Sequence, residues 1–457
     1  MIDPMEQMSL SRGSSNSGAD LFAKAITSLS PSQLEQLVFD ARTKSITGLS
    51  TDVGCVVDTL PKEGGSNIVY KATFSDGTTW AIRIPIPHEH SDEFPPQHWH
   101  RSMELDVSTQ RFIYSRVPSI PIPRIHDWSS GTNNPIGRPY IITDYLPGTN
   151  LAKVWNDQSW ISNSKREYIF AQLAGWMTEL AAIEFPRIGR LDPVSPGQVV
   201  PFEPDPTQGF DEAYGPYNSA HAFISDLLRM KRKKEDNPTF AVLQLFLSAL
   251  PDPTLDGPPF TLHHPDLDSQ NILVADDGTV TGLIDWDNVC IGPQQGGAAR
   301  YPSWITVDWD PLFYGWHPDH TPEENLPYDS PEELHAYREM YLAAIDKASS
   351  GKLTKSTRNS HVWTTLEIAA VNTYAASHII YHLGKYVFGS SVLTYEVTRG
   401  IEVAAWYRTG YDQEGIAQVT GIFLTYACVS SVLLADCFFL SEPLGSEVGS
   451  EPSEGED

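Results

Sequence analysis

The sequence predicts an α+β protein in which a small strand-rich lobe precedes a larger helical lobe. Three observations carry that expectation. Between residues 53 and 146, short alternating runs are separated by Gly, Pro and Asp turns. From 164 onward, apolar residues recur at helical spacing over long stretches. One further hairpin, within 262–293, interrupts the helical half and concentrates carboxylates and amides.

In the first half, VGCVVDTL (53–60) is strand-like, and after KEGGS come NIVYKATF (67–74) and TWAIRIPI (79–86). Asp76-Gly77 between the last two predicts a hairpin, because the turn needs residues that tolerate positive φ. A loop rich in Pro and His follows. Met103, Val107, Ile113 and Val117 then recur at roughly helical spacing over 101–117, and Pro118 to Pro123 end that helix. PYIITDYL (139–146) is another strand, closed by Pro147-Gly148. In the second half, SKREYIFAQLAGWMTELAAIEF (164–185) is a long amphipathic helix with Ser164 as its N-cap. Residues 218–250, 331–347 and 362–440 hold further helical patterns. The expected organisation is a largely disordered segment 1–30, a first lobe 31–146, a second lobe 147–440 and an acidic, disordered tail 441–457.

Composition narrows the classes of function. The chain of 457 residues is 40% hydrophobic and 19% charged, a globular balance. Its formal net charge of −27 repels phosphate backbones, so no nucleic acid partner is expected. The charge serves solubility first, and it also steers cationic small molecules. Cys55, Cys290, Cys428 and Cys437 form no CxxC pair, which argues against a disulfide framework and for a reducing, cytoplasmic setting. The segment MIDPMEQMSLSRGSSNSGAD has no apolar core and does not read as a secretory signal. IFLTYACVSSVLLADCFFL (422–440) is long and apolar enough to consider as a membrane span. Asp436 would be costly in lipid, and Thr425, Ser430 and Ser431 dilute the run, so it reads as a buried helix and no membrane partner is expected.

The segment LHHPDLDSQNILVADDGTVTGLIDWDNVCIGP (262–293) carries the chemistry. Its middle is a hairpin around Asp277-Gly278. Pairing outward from that turn sets Asn271 beside Ile284, one residue from Asp285 on the neighbouring strand. An amide oxygen and a carboxylate then converge at one hairpin end, as a hard cation such as Mg²⁺ requires. Asp266, five residues before Asn271, enters the same end on a loop. One carboxylate to align or deprotonate an acceptor hydroxyl, beside two oxygen ligands, is what phosphoryl transfer needs.

These residues resemble the catalytic and metal-binding core of the aminoglycoside-phosphotransferase family, a branch of the protein-kinase-like fold. The family's pattern is close to HGDLHPGNILV…IDWE, against HPDLDSQNILV…IDWD in this chain. IPIPRIHDW, IGRPYIITDYLPGTNL, FPRIGRLDP and AARYPSWITVDWDP are similar to the large fungal subgroup. The resemblance implies a two-lobed kinase-like fold, ATP and Mg²⁺ as cofactors, and a small-molecule hydroxyl acceptor. It implies that Asp266 is the catalytic base, that Asn271 and Asp285 ligate Mg²⁺, and that His264 supports the catalytic loop. Asp268 stands where relatives often carry His, a difference that bears on acceptor recognition. Trp286 reads as a packing residue and Asp287 as a solvated one.

The nucleotide cleft follows the same resemblance. Gly64, Gly65 and Ser66 fit a loop that covers phosphates, because glycine lets backbone approach closely. Period-2 alternation puts Ala81 and Arg83 on one strand face, a small residue for adenine and a cation for phosphates. Arg83 departs from the usual lysine, which leaves a pseudokinase scaffold as one alternative function. A protein kinase is the other, although no clear activation segment ending in A-P-E follows Asp285. Asp106 is aligned with the helix carboxylate that orients the cation, with Glu104 its competitor. The backbone groups of Asp144 and Leu146 are expected to pair with adenine. Histidines 88, 90, 98 and 100 match no closed zinc spacing.

Overall fold

The computed structural model describes residues 26–45, 54–63, 67–86, 97–195, 197–205, 209–234, 239–325 and 327–388. The loop 64–66, the 422–440 run and both ends of the chain lie outside them. The fold is α+β and two-lobed, with one antiparallel sheet in the first lobe and mostly helices in the second.

The small lobe opens with helix α1 (Pro31–Ser45). Its sheet comprises β1 (Cys55–Val57), β2 (Lys62–Glu63), β3 (Asn67–Phe74), β4 (Thr79–Pro85), β5 (Ile125–Ser129) and β6 (Tyr140–Asp144). The order is β1-β3-β4-β6-β5, with β2 also pairing β3. Strand β3 alternates strictly between half-buried and buried residues, which is why its apolar set reads so clearly in sequence. Ile68, Tyr70, Ala72 and Phe74 join Trp80, Ile82 and Ile84 of β4 and Leu34, Leu37 and Val38 of α1 in one core. The β3–β4 turn closes through Phe74 N–H to Thr78 O (2.9 Å), with Gly77 at φ 85° and the Asp76 carboxylate accepting the Thr78 N–H (3.0 Å). Arg42 of α1 pairs with Asp76 and lies over the Phe74 ring.

Helix α2 (Gln97–Arg116) joins the lobes. Met103 and Val107 pack on Ile125 and Ile141 of the small sheet. Phe112, Ile113 and Val117 belong to the large-lobe core instead.

The large lobe contains β7 (Thr149–Asn150), α3 (Asn163–Ala181), β8 (Glu184–Phe185), β9 (Arg190–Leu191), β10 (Val199–Val200), α4 (Ala220–Lys234) and α5 (Thr239–Ala249). After these come β11 (Phe260–His263), β12 (Ile272–Val274), β13 (Val280–Leu283), β14 (Cys290–Gly292), α6 (Pro331–Ser349), α7 (Ser360–Val371) and α8 (Thr373–Phe388). Ser162, not Ser164, caps α3, accepting the Lys165 N–H at 3.2 Å. The 218–250 pattern resolves into two helices, α4 and α5. Helix α6 begins with a reciprocal capping box between Ser330 and Glu333. No helix among the described residues is long and apolar enough to cross a membrane.

The segment leaving β6 is fastened to the second hairpin. Strand β7 pairs with β12, and the Thr281 hydroxyl donates to Pro147 O. A Cβ at Gly282 would come within 2.7 Å of Leu146, so glycine on β13 is what lets Leu146 lie against the hairpin.

Candidate active site

The β12–β13 hairpin pairs Ile272 with Leu283 and Leu273 with Gly282. Nearer the turn, Val274 pairs with Val280 and Thr281 is the extra, bulged residue. The bulge restores the register at the open end, where Ile284 N–H donates to Asn271 O at 2.9 Å. Asn271 therefore does lie opposite Ile284, next to Asp285.

Asp266 sits at the same end, exposed, on the loop after β11. The Asn271 amide nitrogen donates to the Asp266 carboxylate (2.8 Å) and to its backbone oxygen (3.0 Å). That fixes the orientation of both side chains and leaves the Asn271 carbonyl oxygen as the end that can meet a ligand. Asp285 adopts φ 63°, a left-handed conformation rare for non-glycine residues, and Asn288 follows at φ 60°. Between them Trp286 turns inward, buried, with its indole N–H on Leu283 O (2.8 Å). The two flanking carboxylates face Arg83 instead.

His264 holds the loop from below. Its Nε2–H donates to Ile284 O (3.0 Å), and its Nδ1 accepts the Asp266 N–H (3.2 Å). One ring nitrogen donates and the other accepts, so the ring is neutral. Burial pushes its pKa down from 6.5 to about 4, and the Arg300 charge acts in the same direction. These two bonds tie the start of the Asp266 loop to the open end of the hairpin.

Arg83 does not pair with Asp106. Its guanidinium forks onto Asp287, with Nη1 to Oδ1 at 3.0 Å and Nη2 to Oδ2 at 2.7 Å, and Nη2 also reaches Asp285 at 3.1 Å. Asp106 is taken by Arg190 of β9 at 2.6 Å and by the Asn288 N–H at 2.9 Å. Glu104 lies beside Arg101 on its own helix. The reason is geometric: the left-handed 285–288 turn brings Asp287 up to Arg83 and sets Asn288 against α2. Asp287 is accordingly an ion-pair partner, where the sequence reading had it solvated.

Burial raises the Asp285 carboxyl above the usual range, and the neighbouring Asp287 and Asp266 charges push the same way against Arg83. A cation at this hairpin end would relieve that crowding. The donor set, an amide oxygen and carboxylates, suits a hard divalent ion such as Mg²⁺. Among the described residues no group of three or more His, Cys, Asp and Glu forms a metal cluster, and histidines 88 and 90 lie outside them.

Two further residues brace the loop and were not singled out from the sequence. Arg300 donates to the backbone oxygens of His264 (2.9 Å) and Pro265. Ser303 donates to Asp268 Oδ2 at 2.6 Å, while Asp268 Oδ1 accepts the Gln270 N–H at 3.1 Å. Asp268 thus ties the loop to the 300–305 segment. The only sequence signal for this pair was the AARYPSWI resemblance, which named no role.

The upper wall of the cleft follows strand alternation. Trp80, Ile82 and Ile84 enter the small-lobe core, and Ala81 and Arg83 face the other way, opposite Lys71 and Val69 of β3. On β6, the Asp144 carboxylate accepts from His126 (2.6 Å) and the Arg124 N–H (3.0 Å). Burial would raise its pKa, yet these bonds prevail and hold it low. Tyr145 is fixed by the Lys62 ammonium on its hydroxyl (2.7 Å). Gly64, Gly65 and Ser66 lie outside the described residues.

A strand-rich lobe over a helical one, with a carboxylate loop and a cation strand facing each other, defines a kinase-like phosphotransferase architecture. The family described as phosphotransferase enzyme family (APH) matches residues 59–295, more than half of the chain, and the chain belongs to that family. It is similar to the clavilactone A biosynthesis cluster protein Y of Ampulloclitocybe clavipes, 27% identical over 270 residues, covering 54% of this chain and 64% of that protein. It is also similar to the altered inheritance of mitochondria protein 9 of Candida tropicalis, 24% identical over 132 residues, covering 28% of this chain and 20% of that one. The chain thus spans less than two thirds of the length of these curated relatives. Among solved structures, the macrolide 2'-phosphotransferase of Brachybacterium faecium matches with TM-score 0.39 and 16% identity, covering 79% of this chain and 96% of that one. The ethanolamine kinase of Plasmodium vivax matches with TM-score 0.38 and 14% identity, covering 71% and 77%.

Proposed function

We propose that the chain is an ATP-dependent phosphotransferase that passes the γ-phosphoryl group to a hydroxyl of a small molecule. The observation that carries this reading is the hairpin end, where the exposed Asp266 carboxylate is oriented by Asn271 and lies close enough to Asp285, the partner of Arg83, for their charges to interact. In this reading Asp266 aligns the acceptor hydroxyl and takes its proton. Asn271 and Asp285 would hold Mg²⁺, which neutralises charge on the nucleotide phosphates when bound. Arg83 grips those phosphates with its remaining N–H groups. Ala81 makes room for adenine, the backbone of Asp144 and Leu146 pairs with its edge, and Gly64, Gly65 and Ser66 cover the phosphates. His264, Arg300 and Asp268 keep the loop that carries Asp266 in place.

Incubation of the purified protein with Mg·ATP and a metabolite library, followed by detection of phosphorylated products, tests the proposal. A phosphorylated small molecule supports it. ATP binding with no phosphorylated product from any hydroxyl compound would leave a nucleotide-binding scaffold and remove the enzyme.

A further inference from the structure

We propose that Asp287, and not a carboxylate of the small-lobe helix, is the positioning residue for Arg83, and that Asp106 instead anchors the turn that presents Asp287. The inference rests on the reading above, that nucleotide phosphates lie against Arg83.

Arg83 has two carboxylate partners. Asp285 is the one claimed by the proposed Mg²⁺ site, and it is held through a single bond of 3.1 Å. Asp287 is held through two near-parallel bonds of 3.0 and 2.7 Å, which fix the plane of the guanidinium as well as its place. It therefore stays with Arg83 when Asp285 has another use. Asp106 is differently employed. Its side chain is 13% exposed and that of Arg190 is 7%, so their pair is closed off from the cleft, and the same oxygen takes the Asn288 N–H. The Asp287 side chain, by contrast, is 33% exposed where it meets Arg83. Asp106 thus secures the turn, and the turn delivers Asp287.

The consequence is that the orienting charge comes from the large lobe while Arg83 belongs to the small one. Alignment of the phosphate-gripping cation then depends on how closely the lobes approach. A carboxylate on the small-lobe helix would leave it independent of that approach.

The test is a set of double-mutant cycles on Mg·ATP affinity, measured by calorimetry on the full chain, with thermal melts to verify folding. Arg83→Ala is expected to weaken binding about tenfold or more, through lost charge-assisted bonds. Asp287→Asn is expected to weaken it about three- to tenfold when Arg83 is present. In the Arg83→Ala background the same change leaves affinity unchanged or improves it, because only the repulsion between Asp287 and the phosphates remains to be removed. Asp287→Glu, which keeps the charge, retains more affinity than Asp287→Asn. Asp106→Asn lowers the melting temperature more than Asp287→Asn does, and whatever affinity it costs is transmitted through the turn, so that cost disappears in the Asp287→Asn background. Equal factors for Asp287→Asn in both backgrounds, or an Asp106→Asn loss that is coupled to Arg83 yet persists in the Asp287→Asn background, overturns the proposal while leaving the nucleotide site intact. A wild-type protein that binds no Mg·ATP takes down the nucleotide reading and this proposal with it.

Discussion

Two hairpins of this protein use nearly the same turn, Ser75-Asp76-Gly77-Thr78 in the small lobe and Asp276-Asp277-Gly278-Thr279 in the large one. In each, the Asp-Gly glycine has φ near 85° (85° and 88°), and the preceding Asp accepts the Thr N–H (3.0 and 2.8 Å). They serve the cleft differently. The small-lobe hairpin offers residues from mid-strand, Ala81 and Arg83, whose facing follows from alternation alone. The large-lobe hairpin offers residues from its open end, Asn271 and Asp285, whose facing depends on a bulge, a left-handed residue and a braced loop. A regular strand supplies a wall, and an interrupted one supplies the converging groups.

The largest effect that sharpens this contrast belongs to the open end. Asp266→Asn keeps an oxygen for the Asn271 amide yet removes the base, so transfer is expected to fall about a thousandfold with Mg·ATP affinity retained. Turnover of any identified acceptor by the purified variant at the wild-type rate would detach the chemistry from this loop.

The hairpins should also separate in acid. His264, neutral when folded with a pKa of about 4 against an ordinary 6.5, supports Ile284. Below 6.5 the unfolded chain takes up a proton that the folded chain refuses. Its support is therefore full above that value and declines as the pH falls toward about 4, by up to roughly 3 kcal/mol. Asp76 behaves oppositely: the Thr78 N–H, and then Arg42, hold its carboxyl below the ordinary 3.8. Its contribution is present above that value and is lost only at lower pH. Amide exchange corrected for intrinsic rates should thus lose protection at Ile284 before Phe74 as the pH is lowered from about 7 to about 4. Simultaneous loss would mean that His264 does not support the hairpin end.

Much of this arrangement was legible in the sequence, and the reason differs by residue. The Asn271–Ile284 register followed from Asp277-Gly278, because turn chemistry sets where pairing begins. The bulge at Thr281 could have shifted it, but the three-residue loop displaces the register one way and the bulge returns it. The shared face of Ala81 and Arg83 followed from the two-residue period. The Arg83 partner was not legible. Asp106 matched by position along a helix, whereas the contact is decided by a left-handed turn at Asp285 that no local pattern announces. The α3 cap was missed by two residues because Ser162 and Ser164 offer the same hydroxyl.

A smaller effect compares the two oxygens of the open end. Asp285→Ala should weaken Mg-dependent ATP binding about tenfold or more, and Asn271→Ala less, since a carboxylate is the stronger ligand for a hard cation. Calorimetry that finds unchanged affinity in Asp285→Ala would move the cation elsewhere.

The smallest effect tests whether the two turns are equivalent. Gly77→Ala meets nothing within 4 Å, and Gly278→Ala meets only Lys165 and Tyr168 at 3.5 Å and beyond. Each should cost about 1 kcal/mol from the left-handed backbone alone. Urea unfolding that shows one far costlier than the other would break the equivalence.

Helix α2 lends Met103 and Val107 to one core and Phe112 and Ile113 to the other. It works as a dowel shared by two blocks. A fragment cut at the lobe boundary would carry off one end of the dowel with its apolar flank bare, so neither lobe is a removable part. An engineered break between the lobes should then yield two sticky halves in place of two domains.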